Sequence, residues 1–260
     1  MNGSKRSPKV ILAGAGPGDV GLITVKATQY LQKASYILVD RLVNEEILKL
    51  YASPKAEIVY VGKQGGKESL SQEELNALLV QYGKKDGLTV RLKGGDVAFF
   101  SQVIFEIQAM NEHQIPFEIV PGVTSASGAS ASLNTPLTAR GVSRGVRILT
   151  YHDGEHFTNY DWKNMADTTD TLVFYMSSKA LPELINNLRQ HAYHDKTVAI
   201  IEQATTPEER VLLSSVFMFE DELADAIINQ PALVIIGEVM KYYEGHSQVK
   251  EKKVSFFKEH

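Results

Sequence analysis

The sequence contains no cysteine, which excludes disulfide bonds and thiolate metal sites without identifying a compartment. It has no apolar run approaching the roughly 20 residues of a membrane-spanning helix. Charge of one sign is not in excess: 27 Lys and Arg face 31 Asp and Glu, a net charge of −4. Nothing global therefore points to nucleic acid. The opening stretch "MNGSKRSPK" is basic but lacks the apolar segment of a signal peptide. Internal repeats and low-complexity tracts are absent too. The expectation is a cytoplasmic protein with neither a membrane nor a nucleic acid as partner. What is present is ordinary: 43% apolar and 22% charged residues in a chain of 260. That length suits one large domain or two small ones and should bury about 70–75% of the unfolded surface.

Strand and helix signals alternate through the first half. Short apolar strands are expected at 10–13, 36–39, 57–61, 88–92 and 117–120, with helices at 22–33, 44–51 and 103–111 between them. Ser71 and Glu74 form a capping box ahead of "LNALLVQY", which marks a further helix start. This alternation argues for a mainly parallel sheet covered on both faces. Residues 134–145, with Pro136, Gly141 and Gly145, read as a linker. The pattern then restarts at 146–150, 171–175, 197–201 and 232–236, with a helix from Ala180. The fold class is α/β, with two α/β domains: 8–137, 145–242, and a charged, loosely held tail over 243–260.

"VILAGAGPGD" resembles the start of a dinucleotide site but departs from it at three points. That fingerprint needs G-x-G-x-x-G with free backbone N–H groups facing a pyrophosphate. Gly14 and Gly16 are there, Pro17 has no N–H, and Asp19 stands where the third glycine belongs. A carboxylate would repel the phosphate. Asp19 either caps the following helix, or the turn forms a backbone surface for a small ligand without phosphates.

Other segments carry candidate chemistry. "LVDRLV" ends a strand with Asp40 and Arg41; Asp40 is a general base or an ion paired with Arg41. "VYVGKQGGK" puts Lys63 on a glycine-rich loop, to reach an anion, to give a proton, or to stand in solvent. "RLKGGD" sets Gly94, Gly95 and Asp96 directly after a strand, where the backbone can approach a ligand and Asp96 can accept from it or cap a turn. "TSASGASASLNTPL" is a stretch of small residues, fit for close packing or for a ligand lying on the backbone. His152 and His156 are spaced i, i+4, but Gly154 disfavours the joining helix, and no metal site is expected.

Taken in order, "GAGPGD", "LVDRLV", "VGKQGG", "RLKGGD", "IPFEIVPGVTSASGA", "PLTARG", "DTLVFYM", "EQATTPEER" and "PALVIIGEV" resemble the uroporphyrinogen-III C-methyltransferases, within the tetrapyrrole methylase superfamily, over residues 9–240. The resemblance implies a homodimer of two-domain chains with a cleft between the domains. It also implies S-adenosylmethionine as methyl donor, leaving S-adenosylhomocysteine, and two methylations of uroporphyrinogen III to precorrin-2, on the way to sirohaem and cobalamin. By the same resemblance the donor site comprises Pro17, Gly94, Gly95, Asp96, Phe99, Thr124, Ser125, Met176 and Ala204. Asp40 is the base and Lys63 the acid. Arg41, Arg140 and Arg144, with Lys63 and Arg147, are candidates to hold the carboxylates of the tetrapyrrole substrate.

The chain departs from that family at two places. After "GGD" the family has a proline and then an F-G-R-G-G-E type run; here "VAFFSQVIFE" puts Val97 at the proline and Gln102 at the arginine. "PLTHR" becomes "PLTAR", with Ala139 for histidine. The alternatives are a methylase of a later corrin precursor, an idle donor-binding relative, and a nicotinamide dehydrogenase, against which the first turn argues.

Overall fold

The computed structural model describes residues 9–62, 70–152, 157–192 and 194–243. The first sheet holds β1 (Val10–Gly14), β2 (Tyr36–Val39), β3 (Glu57–Tyr60), β4 (Thr89–Lys93) and β5 (Phe117–Val120), in the order β3-β2-β4-β1-β5. Every pairing in it is parallel, as the alternation predicts. Residues of β1 alternate between two buried layers. Ile11 and Ala13 meet α1 (Val25–Lys33) and α2 (Glu45–Tyr51) on one face. Val10 and Leu12 meet α3 (Gln72–Lys84) and α4 (Val103–Glu112) on the other. Covering both faces is what makes near-continuous apolar strands stable.

Local chemistry starts the helices. Ser71 Oγ accepts the Glu74 N–H, and Glu74 returns a bond to the Ser71 N–H, so the expected capping box forms. The first helix begins later than its apolar spacing predicts. Residues Val20–Leu22 form a separate 3-10 turn capped by Asp19, and α1 starts after Thr24, whose hydroxyl accepts the Ala27 N–H.

The second sheet runs β6-β7-β10-β8-β9, from β6 (Val146–Thr150), β7 (Thr171–Tyr175), β8 (Thr197–Glu202), β9 (Arg210–Ser215) and β10 (Ala232–Ile236). Only β6 and β7 pair in parallel; the others are antiparallel. The β8–β9 connection is too short for a crossover helix, so these strands form a hairpin. One face carries α6 (Asn159–Asp167), α7 (Leu181–His191) and α8 (Phe219–Leu223) around Leu172, Phe174, Val198 and Ile200.

The small-residue stretch becomes α5 (Ser125–Ser132) and covers the opposite face. Ala126, Ala129 and Leu133 are buried against Val173, Ala199, Ile201, Leu233 and Ile235. So α5 precedes the linker in sequence yet packs on the second sheet. It draws the two sheets together, and the cleft lies where it begins.

Candidate active site

The strand order of the first sheet reverses around β1 and β4, and their carboxyl ends open a crevice there. Two glycine turns close its floor. The Gly16 N–H donates to the Gly95 carbonyl at 3.1 Å, and the Gly95 N–H to the Gly16 carbonyl at 2.8 Å. Gly16 and Gly95 have φ of 85° and 66°, a region that favours glycine. A Cβ at Gly14 would lie 2.5 Å from the Gly95 carbonyl oxygen.

The first turn then locks onto the second sheet. Pro17 sits against Gly128 of α5, where a Cβ would come within 2.6 Å of the proline ring. The Asp19 N–H donates to Thr205 Oγ1 at 3.0 Å, and the Thr205 N–H to Glu209 at 2.7 Å. Asp19 Oδ1 accepts the Gly21 N–H at 2.8 Å, so the carboxylate caps the short 3-10 turn that follows.

A cavity of about 190 Å³ lies above the clasped glycines. Of the sequence-derived residues it gathers Pro17, Asp40, Gly94, Gly95, Asp96, Phe99, Thr124, Ser125 and Met176 on its wall. Asp96 caps its turn, accepting the Ala98 N–H at 2.7 Å, and it also lines the cavity. Ala204 is not on the wall; it is buried behind it with α5. Arg41, Arg140 and Arg144 are exposed and stand off the wall. Arg147 is engaged elsewhere, donating to Asp170 at 2.9 Å, Thr168 at 2.9 Å and Asn164. Lys63 and His156 lie outside the described residues.

Asp40 is paired, but not with Arg41. Arg91 Nη2 stands 3.7 Å from Asp40 Oδ2, while Arg41 offers only its backbone N–H at 3.1 Å. Sequence reasoning also missed Lys93 and Tyr175, both on the wall. Lys93 is buried, and burial lowers its amine pKa against the raising effect of Glu106. The Tyr175 hydroxyl accepts the Ala126 N–H at 2.8 Å and shares a hydrogen bond with Thr124 Oγ1 at 2.6 Å. Burial pushes its pKa up. The signal available for Lys93 was a cation at i+2 from Arg91 within an apolar strand.

The rim is apolar and conformationally strained. Phe99, Phe100 and Met176 are exposed, and the Phe100 ring lies 5.2 Å from that of Tyr175. Phe100 and Met176 on the wall both have positive φ, a strain that backbones hold at ligand sites.

Two α/β domains, a clasped glycine floor and a first turn with Pro17 and Asp19 in place of the dinucleotide fingerprint define a class of small-molecule enzyme distinct from the dinucleotide dehydrogenases. The chain belongs to the tetrapyrrole (corrin/porphyrin) methylases, whose pattern it matches over residues 9–217. It is 39% identical over 237 residues to a sirohaem synthase of Pseudoalteromonas atlantica, covering 91% of this chain and 51% of that protein. It is 40% identical over 235 residues to the chloroplastic S-adenosyl-L-methionine-dependent uroporphyrinogen III methyltransferase of Arabidopsis thaliana, covering 89% and 63%. The chain thus spans half to under two thirds of these curated relatives. Among solved structures it resembles uroporphyrin-III C-methyltransferase of Thermus thermophilus complexed with S-adenosylhomocysteine. That match has a TM-score of 0.75 and 33% identity, and covers 90% of this chain and 93% of that one. A cobalt precorrin-4 methyltransferase shares the fold, with a TM-score of 0.78 at 24% identity.

Proposed function

We propose that this chain transfers methyl groups from S-adenosylmethionine to carbon atoms of uroporphyrinogen III, giving precorrin-2 for sirohaem or cobalamin synthesis. The observation that carries this reading is the cavity floor. Its clasped glycines admit a ligand against the backbone. Asp40 and Asp96 on the wall suit a cationic, phosphate-free donor. When bound, S-adenosylmethionine supplies a methyl group activated by its sulfonium.

The chain's own part is alignment and proton handling. Gly94 and Gly95 let the donor close in, and Pro17, Phe99, Thr124, Ser125 and Met176 bound it, with Ala204 supporting from behind. Holding donor and acceptor carbon in line replaces a bimolecular encounter. Asp40 takes the ring proton that leaves after transfer, and Lys63 acts as the acid. Arg41, Arg140 and Arg144 draw in the acceptor's carboxylates from outside the wall. A homodimer and a cytoplasmic location belong to the same reading. Among the described residues no helix is long and apolar enough to cross a membrane.

The altered run favours a second reading. Val103 and the exposed Ile104 stand where the family resemblance implies glycines, and Gln102 where it implies an arginine. A later corrin precursor as acceptor would fit a less positive rim. Incubation with uroporphyrinogen III and donor, followed by mass analysis, tests both. Two added methyl groups support the first reading. Donor binding without transfer, together with methylation of a later corrin precursor, replaces it with the second. Calorimetry checks the donor itself: S-adenosylhomocysteine should bind and NAD should not, and the reverse would overturn both.

A further inference from the structure

Beneath the cleft lies a charge cluster of which the methyl-transfer chemistry uses only Asp40. Arg91 and Lys93 are two residues apart on β4, so their side chains enter the same layer. Glu106 of α4 meets them there, with no solvent exposure. Its Oε1 accepts from Lys93 Nζ at 2.7 Å and from Arg91 Nε at 3.3 Å. Its Oε2 has no partner among the described residues. Arg91 also donates to the carbonyls of Leu38 at 3.4 Å and Leu92 at 3.2 Å, and faces Asp40. Two cations and two carboxylates therefore balance, and two of the four, Asp40 and Lys93, reach the cavity wall.

We propose that Glu106 is a positioning residue: one of its oxygens holds Lys93 as a charged ammonium at the cleft floor and steadies Arg91 against Asp40. The proposal rests on the reading of Asp40 as a group that acts in transfer. Without a paired carboxylate the Lys93 ammonium would be harder to keep charged in this layer, because burial and Arg91 both oppose its charge. The charged groups facing Lys93 are Glu106 from α4, Arg91 from its own strand and Asp40 from the end of β2. Glu106 is the closest of the paired carboxylates. Without it Arg91 is also released to reorient, and the carboxylate it faces shifts with it.

The test is Glu106→Gln, which keeps the shape and removes the charge, with the full chain as it stands. NMR of labelled lysine follows the Lys93 amine. Its titration midpoint should fall by about one pH unit or more, since the attractive charge beside it is gone. The affinity for S-adenosylhomocysteine should stay within about twofold. Turnover should drop about 10- to 100-fold with acceptor KM within about threefold, the pattern of a misplaced group rather than a lost binding contact. The alkaline limb of the pH–rate profile should move down with the amine. Glu106→Asp keeps the charge but withdraws it by one methylene, and carries the test if the glutamine variant does not fold. It should move the amine less and still slow turnover.

A Lys93 midpoint unchanged in a folded variant overturns the proposal, whether or not methyl transfer is seen. A shifted midpoint with unaltered turnover overturns it as well. If the unmodified protein methylates nothing, it is the proposed function that fails, and the titration alone still decides whether Glu106 holds Lys93.

Discussion

The Tyr175 hydroxyl, at the end of β7, lies 2.6 Å from Thr124 Oγ1 and 2.8 Å from the Ala126 N–H, so a side chain of the second sheet caps the start of α5. Thr124 makes no side-chain cap of its own. Tyr175→Phe keeps the ring against Phe100 and removes both bonds. It should cost about 1–2 kcal/mol of stability, because the Ala126 N–H loses its acceptor. Donor affinity should fall too, since Thr124 and Ser125 line the cavity. Thermal unfolding and S-adenosylhomocysteine calorimetry check this. A variant unchanged in both would show that the cap is dispensable.

Asp40→Asn should slow methyl transfer roughly 10²-fold or more while sparing donor binding, the scale of general acid–base work. The fold should hold, because Arg91 keeps Glu106 as its counter-ion. Steady-state kinetics at saturating acceptor decides the point. Undiminished turnover would leave Asp40 a structural partner of Arg91.

Gly122→Ala should damage the cleft through sterics alone. The added methyl would sit 2.2 Å from the Gly95 carbonyl oxygen and 2.9 Å from the Gly14 Cα, and neither is the end of a flexible side chain. Overpacking of this kind costs about 1–3 kcal/mol. Donor binding should weaken with it, as the Gly95 turn is displaced. A variant with wild-type unfolding and wild-type calorimetry would mean that the three glycine turns are looser than they look.

Gln102 begins α4 at φ 56° and ψ 21° without a capping hydrogen bond. A side chain in that region costs on the order of 1 kcal/mol, which glycine avoids. Gln102→Gly should therefore raise the unfolding free energy by a fraction of that amount and leave donor affinity unchanged. Chemical denaturation measures the first and calorimetry the second. Destabilisation would mean that the glutamine side chain makes a compensating contact.

Glu202 sets a pH dependence. The Arg210 guanidinium bonds it at 2.6 and 2.8 Å and, helped by Asn229, holds its carboxyl at about 2 against the desolvation that would raise it. A carboxyl lowered in the folded state stabilises the fold above its unfolded value of 4.5, and that contribution disappears as pH falls toward about 2. Its size is on the order of 2 kcal/mol, because the Arg210 side chain is half exposed. Glu202→Gln should be less stable than the parent at neutral pH, with the gap closing on acidification. A gap that does not change with pH would assign the loss to packing rather than charge.

Much of this molecule was legible from local rules. The capping box at Ser71 and Glu74, the apolar strands and the failed dinucleotide turn depend on neighbours a few residues apart, and each appears where the sequence puts it. The strand-end motifs placed Asp40, Gly94, Gly95 and Asp96 at the crevice, because the ends of parallel strands converge there by topology, while Pro17, Phe99, Thr124, Ser125 and Met176 on the same wall came from the family resemblance. The hairpin of β8 and β9 was harder to see, since β9 alternates weakly and lies at a sheet edge.

Partnership across the fold was decided only in three dimensions. "LVDR" offers Arg41 as the neighbour of Asp40, but the chain turns at Asp40, whose carbonyl accepts the Val43 N–H, Arg41 is exposed, and the guanidinium that reaches the carboxylate is Arg91 on the next strand. The small residues of α5 permitted either close packing or ligand contact. In the fold Ala126 and Ala129 pack on the second sheet, and Thr124 and Ser125 line the cavity. Glu106 sits in an apolar run that sequence alone reads as a helix face, and only the packing of α4 over β4 makes it the counter-ion of two buried cations. The sequence determined which backbone shapes were possible, because φ preferences and capping are local. The distribution of charge beneath the cleft came from packing, because a buried ion is stable only where the fold delivers its partner.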